Sequence, residues 1–291
     1  MNNNMYNLRR KLQMIAGNIF SPKFMSKIYF RIVMKQKLDL ENPKTFNEKI
    51  QWYKLNYCLQ NETVITCCDK YRIREYLSEK DLESFAVPIL GYWENTSDID
   101  WDNLPNRFVI KCNHGCAYNI ICRDKNTFDK KFAKELLDKW LKEDFGKFNA
   151  EPHYDKIKKG IVCEKYLDDG ENKVLVDYKV HCFNGEPKFI LVCSERTQHN
   201  SKECYFDLNW NTLHYSKMEE YDLKKPDSLS KMLIISKKIA EDFPFVRVDF
   251  YEVGGKPFIG ELTFVPAGGL DNAITEKADI EIGKLFNISK G

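Results

Sequence analysis

The residues best placed to do chemistry lie in residues 243–270, FPFVRVDFYEVGGKPFIGELTFVPAGGL. Apolar and polar residues alternate on both sides of Gly254 and Gly255, the period of two half-buried strands joined by a turn. A two-residue turn at the glycines pairs Asp249 with Gly260 and sends Glu261 to the other face. A three-residue loop over 254–256 pairs Asp249 with Glu261 and Arg247 with Thr263. That register also gathers Val246, Val248, Phe250, Phe258, Leu262 and Phe264 on the opposite face, so the hydrophobic pattern favours it. One face then carries Arg247, Asp249, Glu261 and Thr263. Opposed carboxylates repel unless positive charge separates them. Mg²⁺ is usually held by one or two carboxylates plus substrate phosphates, which is the chemistry this face offers. The same residues also read as the wet polar side of a hairpin, so the rest of the chain has to decide.

Further upstream, RFVIKCNHGCAYNIIC (107–122) reads as strand, short loop and strand. Lys111 ends the first strand beside a loop holding Asn113, His114, Gly115 and Asn119, and backbone N–H groups next to a lysine can cover a polyphosphate. The loop has a single Gly, and neither a P-loop nor a G-x-G-x-x-G fingerprint is present. In IVCEKYL (161–167) an apolar strand acquires Glu164 and Lys165 at its end. Those groups could read an adenine edge, or the strand could simply run out to solvent. Lys179, on a β-branched strand, and Arg196, just after another, add positive charge that phosphates could use. His153, His181, His199 and His214 have no partner at catalytic or metal spacing and read as structural. Cys112, Cys116 and Cys122 surround His114, but no Cys-x-x-Cys pair occurs, and buried thiols are the preferred reading.

The elements that must position these groups follow from pattern. Thr45-Phe-Asn-Glu48 is a capping box opening a helix over 48–57, and Asp69 can cap a second over 69–79. A third, over 130–143, has Phe132, Leu136, Leu137, Trp140 and Leu141 on one stripe, and a fourth spans 230–242. Strands are expected over 161–167, 173–183 and 187–193, the last two joined by an Asn184-Gly185 hairpin turn. Residues 88–106 read as loop-rich. The pattern is α+β.

Composition bounds the partners. Of 291 residues 30% are charged, and no apolar run approaches the ~18–20 residues that span a bilayer. The N-terminus lacks a small-residue cleavage site and does not read as a signal peptide. Ten cysteines without a secretion signal point to reduced thiols in the cytoplasm. Residues 1–38 hold eight Lys/Arg and no Asp or Glu, so the net charge of +2 divides into +8 there and −6 beyond. Such a basic head suits a membrane surface, nucleic acid or an acidic polymer, or is merely a solvated helix face.

The order Lys70, Lys111 with its loop, the strand ending Glu164-Lys165-Tyr166-Leu167, then Arg247, Asp249, Glu261 and Thr263 resembles the ATP-grasp superfamily. More narrowly, KTFNEKIQWYKLN, CDKYRIREY, NRFVIKCNHG, DYKVHCFNGEPKFI and FPFVRVDFY…FIGELTFVPAGG look like the TupA-like branch, over roughly residues 38–270. That branch is associated with cell-surface polysaccharide synthesis, and some members are labelled glycosyltransferases. The resemblance implies an ATP-grasp fold of two α/β subdomains clasping ATP, preceded by a basic, mostly helical segment. The boundaries it implies are 1–65 for that segment, 66–165 for a subdomain with the phosphate-covering hairpin, and 166–291 for one with the metal-binding hairpin.

The cofactors implied are ATP and Mg²⁺. Lys70 and Lys111 match the two ATP-binding lysines, with His114, Gly115 and Asn119 in the covering loop. Glu164, Lys165, Tyr166 and Leu167 match the adenine strand, and Glu171 is the candidate for the ribose hydroxyls, with Asp168 or Asp169 as alternatives. Arg247 matches the arginine that steadies the transferred phosphoryl group, and Lys179 and Arg196 join it as catalytic candidates. Asp249 and Glu261 match metal ligands, and Thr263 stands where the superfamily usually has Asn, which leaves the number of metal ions open.

The activity implied is a carboxylate–amine ligase working through an acyl phosphate on a uronic acid of a capsular or other surface polysaccharide or its sugar-nucleotide precursor. Its partners would be ATP, an anionic sugar or glycan, an amine and, through the basic N-terminus, the inner membrane surface rather than nucleic acid. The cytoplasm would be its location. Two alternatives stand beside it: a glycosyltransferase or sugar kinase of the same pathway, and a non-catalytic binding module. The second draws on Thr263 and the glycine-poor loop.

Overall fold

The computed structural model describes residues 3–170, 174–195, 202–218, 221 and 223–288, with side chains from residue 9 onward. In chain order its elements are α1 (Asn3–Ile19), α2 (Pro22–Val33), α3 (Phe46–Tyr53), α4 (Glu62–Cys68), α5 (Ile73–Glu79), β1 (Ile89–Trp93), β2 (Phe108–Cys112) and β3 (Asn119–Cys122). They continue with α6 (Lys130–Lys142), α7 (Phe145–Asn149), β4 (Ile161–Lys165), β5 (Asp177–Phe183), β6 (Glu186–Ser194), β7 (Lys202–Phe206) and β8 (Thr212–Leu213). Last come α8 (Leu229–Ala240), β9 (Phe245–Val253), β10 (Lys256–Thr263) and α9 (Glu276–Leu285). Two compact units result. The first takes the chain up to Ser26, Leu59–Tyr76 and Val87–Leu167, and the second takes Lys27–Cys58, Leu77–Ala86 and the chain from Asp168. The helical N-terminal stretch is therefore shared between the units.

The first unit is built on an antiparallel sheet of order β1-β4-β2-β3. Along β2, Phe108, Ile110 and Cys112 are buried while Val109 and Lys111 are not, so the two-residue period turns Lys111 away from the core. Helix α6 buries Ala133 and Leu137, and Phe132, expected on the buried stripe, is 57% exposed. Asp69 does not open a helix. Its carboxylate accepts from the backbone N of Tyr71 and Arg72 (2.8 and 3.3 Å), forming a turn, and α5 begins only at Ile73. The stretch expected to be loop contains β1. Pro88 precedes this strand, and a bulge lies between Ile89 and Gly91, both tolerated at a sheet edge.

The second unit carries an antiparallel sheet of order β10-β9-β5-β6-β7-β8. Every residue of β5 is buried, so this sheet is covered on both faces. Helix α8 packs on β5, β6 and β9. The other face starts as an aromatic cluster around Phe245, whose ring lies 5.0 to 5.5 Å from those of Phe183, Phe46 and Phe286. The capping box is present: Thr45 Oγ1 accepts from Glu48 N, and Glu48 accepts from Thr45 N, opening α3. The helix expected to run to residue 57 changes to a π-helical turn over Lys54–Cys58. Asn47, in α3, accepts from Asp271 N (2.7 Å) and donates to Asp271 O (3.1 Å), and Gln51 donates to the carbonyls of Gly268 and Gly269. The loop that leaves the β9–β10 hairpin is held by this helix.

The hairpin reaches its pairing by an unexpected route. Gly254 and Gly255, at φ 58° and 70°, form a two-residue turn, and Val253 pairs with Lys256. The register then shifts between Ile259 and Glu261, leaving Gly260 as the extra residue, after which Asp249 faces Glu261 and Arg247 faces Thr263. A tight turn plus a bulge thus gives the same offset as the three-residue loop. Near the turn the faces differ from expectation: Ile259 pairs with Phe250 and is buried, while Phe258 pairs with Tyr251 on the other side.

Phe245 is fully buried at the centre of the aromatic cluster. Phe245→Ala is expected to cost about 3–5 kcal/mol, read as a lower urea midpoint for the second unit. An unchanged midpoint would show that the cluster does not hold this sheet.

Candidate active site

Strands β5, β9 and β10 place two rows of three residues side by side. Lys179, Asp249 and Glu261 are register partners in one row, and His181, Arg247 and Thr263 in the next. Members of neighbouring rows are two residues apart on each strand, so all six share a face. This face is not wet. Asp249 is 3% exposed, whereas Glu261, with its side chain 37% exposed, is half open. Arg247 grips Asp249 through Nε–Oδ1 (2.6 Å) and Nη2–Oδ2 (2.7 Å), and Lys179 Nζ reaches Oδ2 at 2.6 Å. Arg247 Nη2 also donates to Thr263 Oγ1 (3.1 Å), whose hydroxyl donates to Glu261 Oε1 (3.3 Å).

Burial alone would raise the Asp249 carboxyl, but Arg247 and Lys179 outweigh it and hold it at about 2. Burial would lower Lys179 and Arg247, and Asp249 reverses the shift in both, so both stay charged. His181, stacked 4.4 Å from the Phe189 ring, is pushed down to about 3 by burial and then by Arg247, and is neutral. An ionised carboxylate opposite a half-open one is a hard-oxygen pair of the kind Mg²⁺ takes together with phosphates. Thr263 adds a neutral hydroxyl. Among the described residues no group of three or more His, Cys, Asp or Glu could hold a metal.

In the first unit Lys111 and Glu164 lie on adjacent strands with Nζ and Oε2 2.6 Å apart. Arg74 approaches the other oxygen of Glu164 at 3.7 Å, so one 8%-exposed carboxylate collects two bases. Lys70 Nζ donates to the carbonyl of Gly115 in the loop after β2. At Gly115 a Cβ would fall 2.7 Å from the Phe145 ring and 2.8 Å from that of Tyr118, so glycine is required by packing. His114 is turned inward with Nε2 3.2 Å from Trp140 O, and burial, then Lys159, lowers it to about 4. What this residue offers a ligand is therefore backbone. Cys112 is buried in β2 and its thiol pushed up to about 12 by burial, which keeps it protonated.

Asn119, exposed, pairs with Lys111 across β2 and β3. Lys165 is exposed at the end of β4, Tyr166 lies under the Arg107 guanidinium at 5.5 Å, and Leu167 is half-buried. Glu171 and Arg196 lie outside the described residues. Asp168 accepts from Gly170 N at 2.9 Å.

Sequence reasoning missed three participants. Arg74 stands one helical turn after Lys70, a spacing that could have pointed to it. Glu203 and Asp271 line a cavity of about 290 Å³ with Lys179, His181, Arg247 and Glu261, and no spacing relates them. Burial raises the Asp271 carboxyl, and Glu203 adds to the shift.

Asp249→Asn leaves two buried bases short of a partner and is expected to cost about 3 kcal/mol at neutral pH. The half-open Glu261→Gln should cost under ~1 kcal/mol. The folded value of about 2 lies below the unfolded 3.8, so the contribution of Asp249 is present above pH 4 and lost as pH falls towards 2. Urea unfolding across this range reads both effects, and a fully stable Asp249→Asn would show that the network is not structural. His181 falls from 6.5 to about 3 on folding, so stability should drop below pH 6.5 with a slope of about 1.4 kcal/mol per pH unit from this residue. His181→Asn should remove that share of the slope between pH 6 and 4, and an unchanged slope would assign it elsewhere.

No curated protein matches the sequence. Among solved structures, the chain is similar to the D-alanine–D-alanine ligase of Bacillus anthracis complexed with ATP, at 16% identity and a TM-score of 0.45 over 76% of this chain and 63% of that one. It thus spans less than two thirds of that ligase. It is also similar to the D-alanine–D-alanine ligase of Helicobacter pylori, at 14% identity and a TM-score of 0.44 over 84% and 70%. The D-cycloserine synthetase DcsG gives 11% and 0.44 over 84% and 80%. The family model for TupA-like ATPgrasp matches residues 48–287, from the capping-box helix through α9. With its two antiparallel sheets and their helices, the chain is an α+β protein of the ATP-grasp fold and belongs to the TupA-like ATP-grasp family.

Proposed function

We propose that the chain is an ATP- and Mg²⁺-dependent ligase joining a carboxylate to an amine through an acyl phosphate. The observation that carries this reading is the paired rows Lys179–Asp249–Glu261 and His181–Arg247–Thr263 in a chain of this family. Lys70, Lys111 and the backbone of the loop at Gly115 are the groups for the phosphates, and Glu164, Lys165 and Leu167 those for the adenine. Asp249 and Glu261 are the metal ligands. Bound Mg²⁺ would supply neutralisation of the β- and γ-phosphates and orient the group transferred.

Arg247 keeps its charge at every working pH and lies beside both carboxylates, so it can take up negative charge as the phosphoryl group moves. A substrate carboxylate oxygen attacks the γ-phosphorus in line, ADP leaves, and the acyl phosphate forms. The amine nitrogen then attacks the acyl carbon, phosphate departs, and the nitrogen loses a proton. The cavity beside Arg247 supports a cationic co-substrate, since Glu203, Glu261 and Asp271 outnumber Lys179 and Arg247 in its lining and His181 is neutral. The polysaccharide association of TupA-like proteins favours a uronic acid, on a surface glycan or its sugar-nucleotide precursor, as the carboxylate, with the reaction in the cytoplasm.

The test is a thermal-shift titration with ATP, with and without Mg²⁺, on wild type and Glu261→Gln, the variant that spares the buried network. Wild type should gain ~2.7 kcal/mol at a hundredfold excess over Kd, in a Mg²⁺-dependent way that the variant loses. No shift with any nucleotide would sink the nucleotide site. ADP release that requires both uronate and amine would support the ligase, whereas a phosphorylated product formed without the amine would replace it with a sugar kinase, and a glycosylated one with a glycosyltransferase.

A further inference from the structure

We propose that α1 and α2 each carry an amphipathic face that docks on an anionic lipid bilayer. The inference stands apart from the ligase reading. Among the described side chains, helix α1 is held to the first unit through one face. Arg10 bonds Glu143 (2.8 Å) and Tyr118 (2.7 Å) and lies 4.3 Å over the Phe148 ring, Met14 packs on the core, and Gly17 sits where a Cβ would strike the Lys147 carbonyl. At about 100° per residue these three share one face, and Leu12, Ile15 and Ile19 fall on the opposite one. They are 58%, 57% and 69% exposed, with Arg9 and Lys11 exposed on either flank.

Helix α2 repeats the arrangement. Met25, Ser26 and Phe30 are buried, while Phe24, Ile28 and Ile32, four residues apart, are 45%, 36% and 57% exposed. A parallel row of Lys23, Lys27 and Arg31 runs beside them, all exposed. Between the helices Phe20 is 45% exposed, its ring 4.8 Å from that of Phe24.

The partner follows from two features together. Among the described residues seven of the fifteen exposed large hydrophobics lie within 12–32, more than chance or solubility would leave there. Residues 1–38, which contain both helices, carry eight bases and no acid. A polyanion such as nucleic acid or a free glycan accounts for the charge and leaves the apolar rows unexplained. An anionic bilayer accounts for both: apolar side chains enter the headgroup boundary by about 5–10 Å and the bases meet the lipid charge. No helix among the described residues is long and apolar enough to cross a membrane, so the helices would lie in its surface.

The test is co-sedimentation of the full chain with vesicles of phosphatidylcholine alone and of phosphatidylcholine with phosphatidylglycerol. Binding is expected only with the anionic lipid and should weaken in ~1 M salt, where the Debye length shrinks to about 3 Å. Lys23→Gln with Lys27→Gln should lower the partition coefficient roughly fivefold per charge. Ile15→Asp with Ile19→Asp should abolish binding without altering the circular dichroism, since both side chains are exposed. Three results would overturn the proposal. One is no binding to either vesicle, and another is binding that the Ile→Asp pair leaves intact, as a purely electrostatic surface would. The third is a wild-type dimer that this pair converts to monomer, which would make a second copy the occupant of the apolar rows.

Discussion

A carboxylate buried between two bases governs the second unit. Asp249 is nearly inaccessible, yet it remains ionised because Arg247 holds it with two hydrogen bonds and Lys179 with a third. Desolvating three charges is expensive, and the arrangement persists only when the partners are close and well oriented. With Glu261 added, and Asp177 reaching Lys179 at 3.9 Å, each base meets more than one carboxylate. Close pairing lets the charges sit on a covered sheet face before any ligand arrives. It also holds these groups in place in advance, as preorganised electrostatics requires.

That placement depends on packing around it. The face that carries the two rows begins at the aromatic cluster of Phe183, Phe245, Phe46 and Phe286, so the charged end is an extension of the hydrophobic core rather than an exposed edge. Helix α3 contributes from far away in sequence, with Asn47 and Gln51 fastening the loop after β10 through its backbone. The bulge at Gly260 completes the design. It lets a tight glycine turn coexist with the pairing that sets Asp249 opposite Glu261.

The first unit shows the same economy on a smaller scale. Lys111 projects from β2 by strand alternation and is held by Glu164 on the neighbouring strand, which Arg74 also approaches. A lysine paired in this way has less side-chain freedom left to lose, because its position is already constrained.

Much of this was legible in the chain itself. Alternation in residues 243–264 places Arg247, Asp249, Glu261 and Thr263 on one face, because side chains in strands have a period of two, and the Thr45–Glu48 capping box marks where α3 begins, because its hydrogen bonds are local. Local pattern said nothing of what lies over that face. Only the tertiary structure decided that it is buried, that Lys179 from β5 rather than solvent meets Asp249, and that Glu203 and Asp271 join the same cavity. It also decided that the hairpin combines a two-residue turn with a bulge, since the two routes to the same offset differ only near the turn. Periodicity determines which residues point together. What they point at depends on contacts between segments distant in sequence, and neither spacing nor composition encodes those.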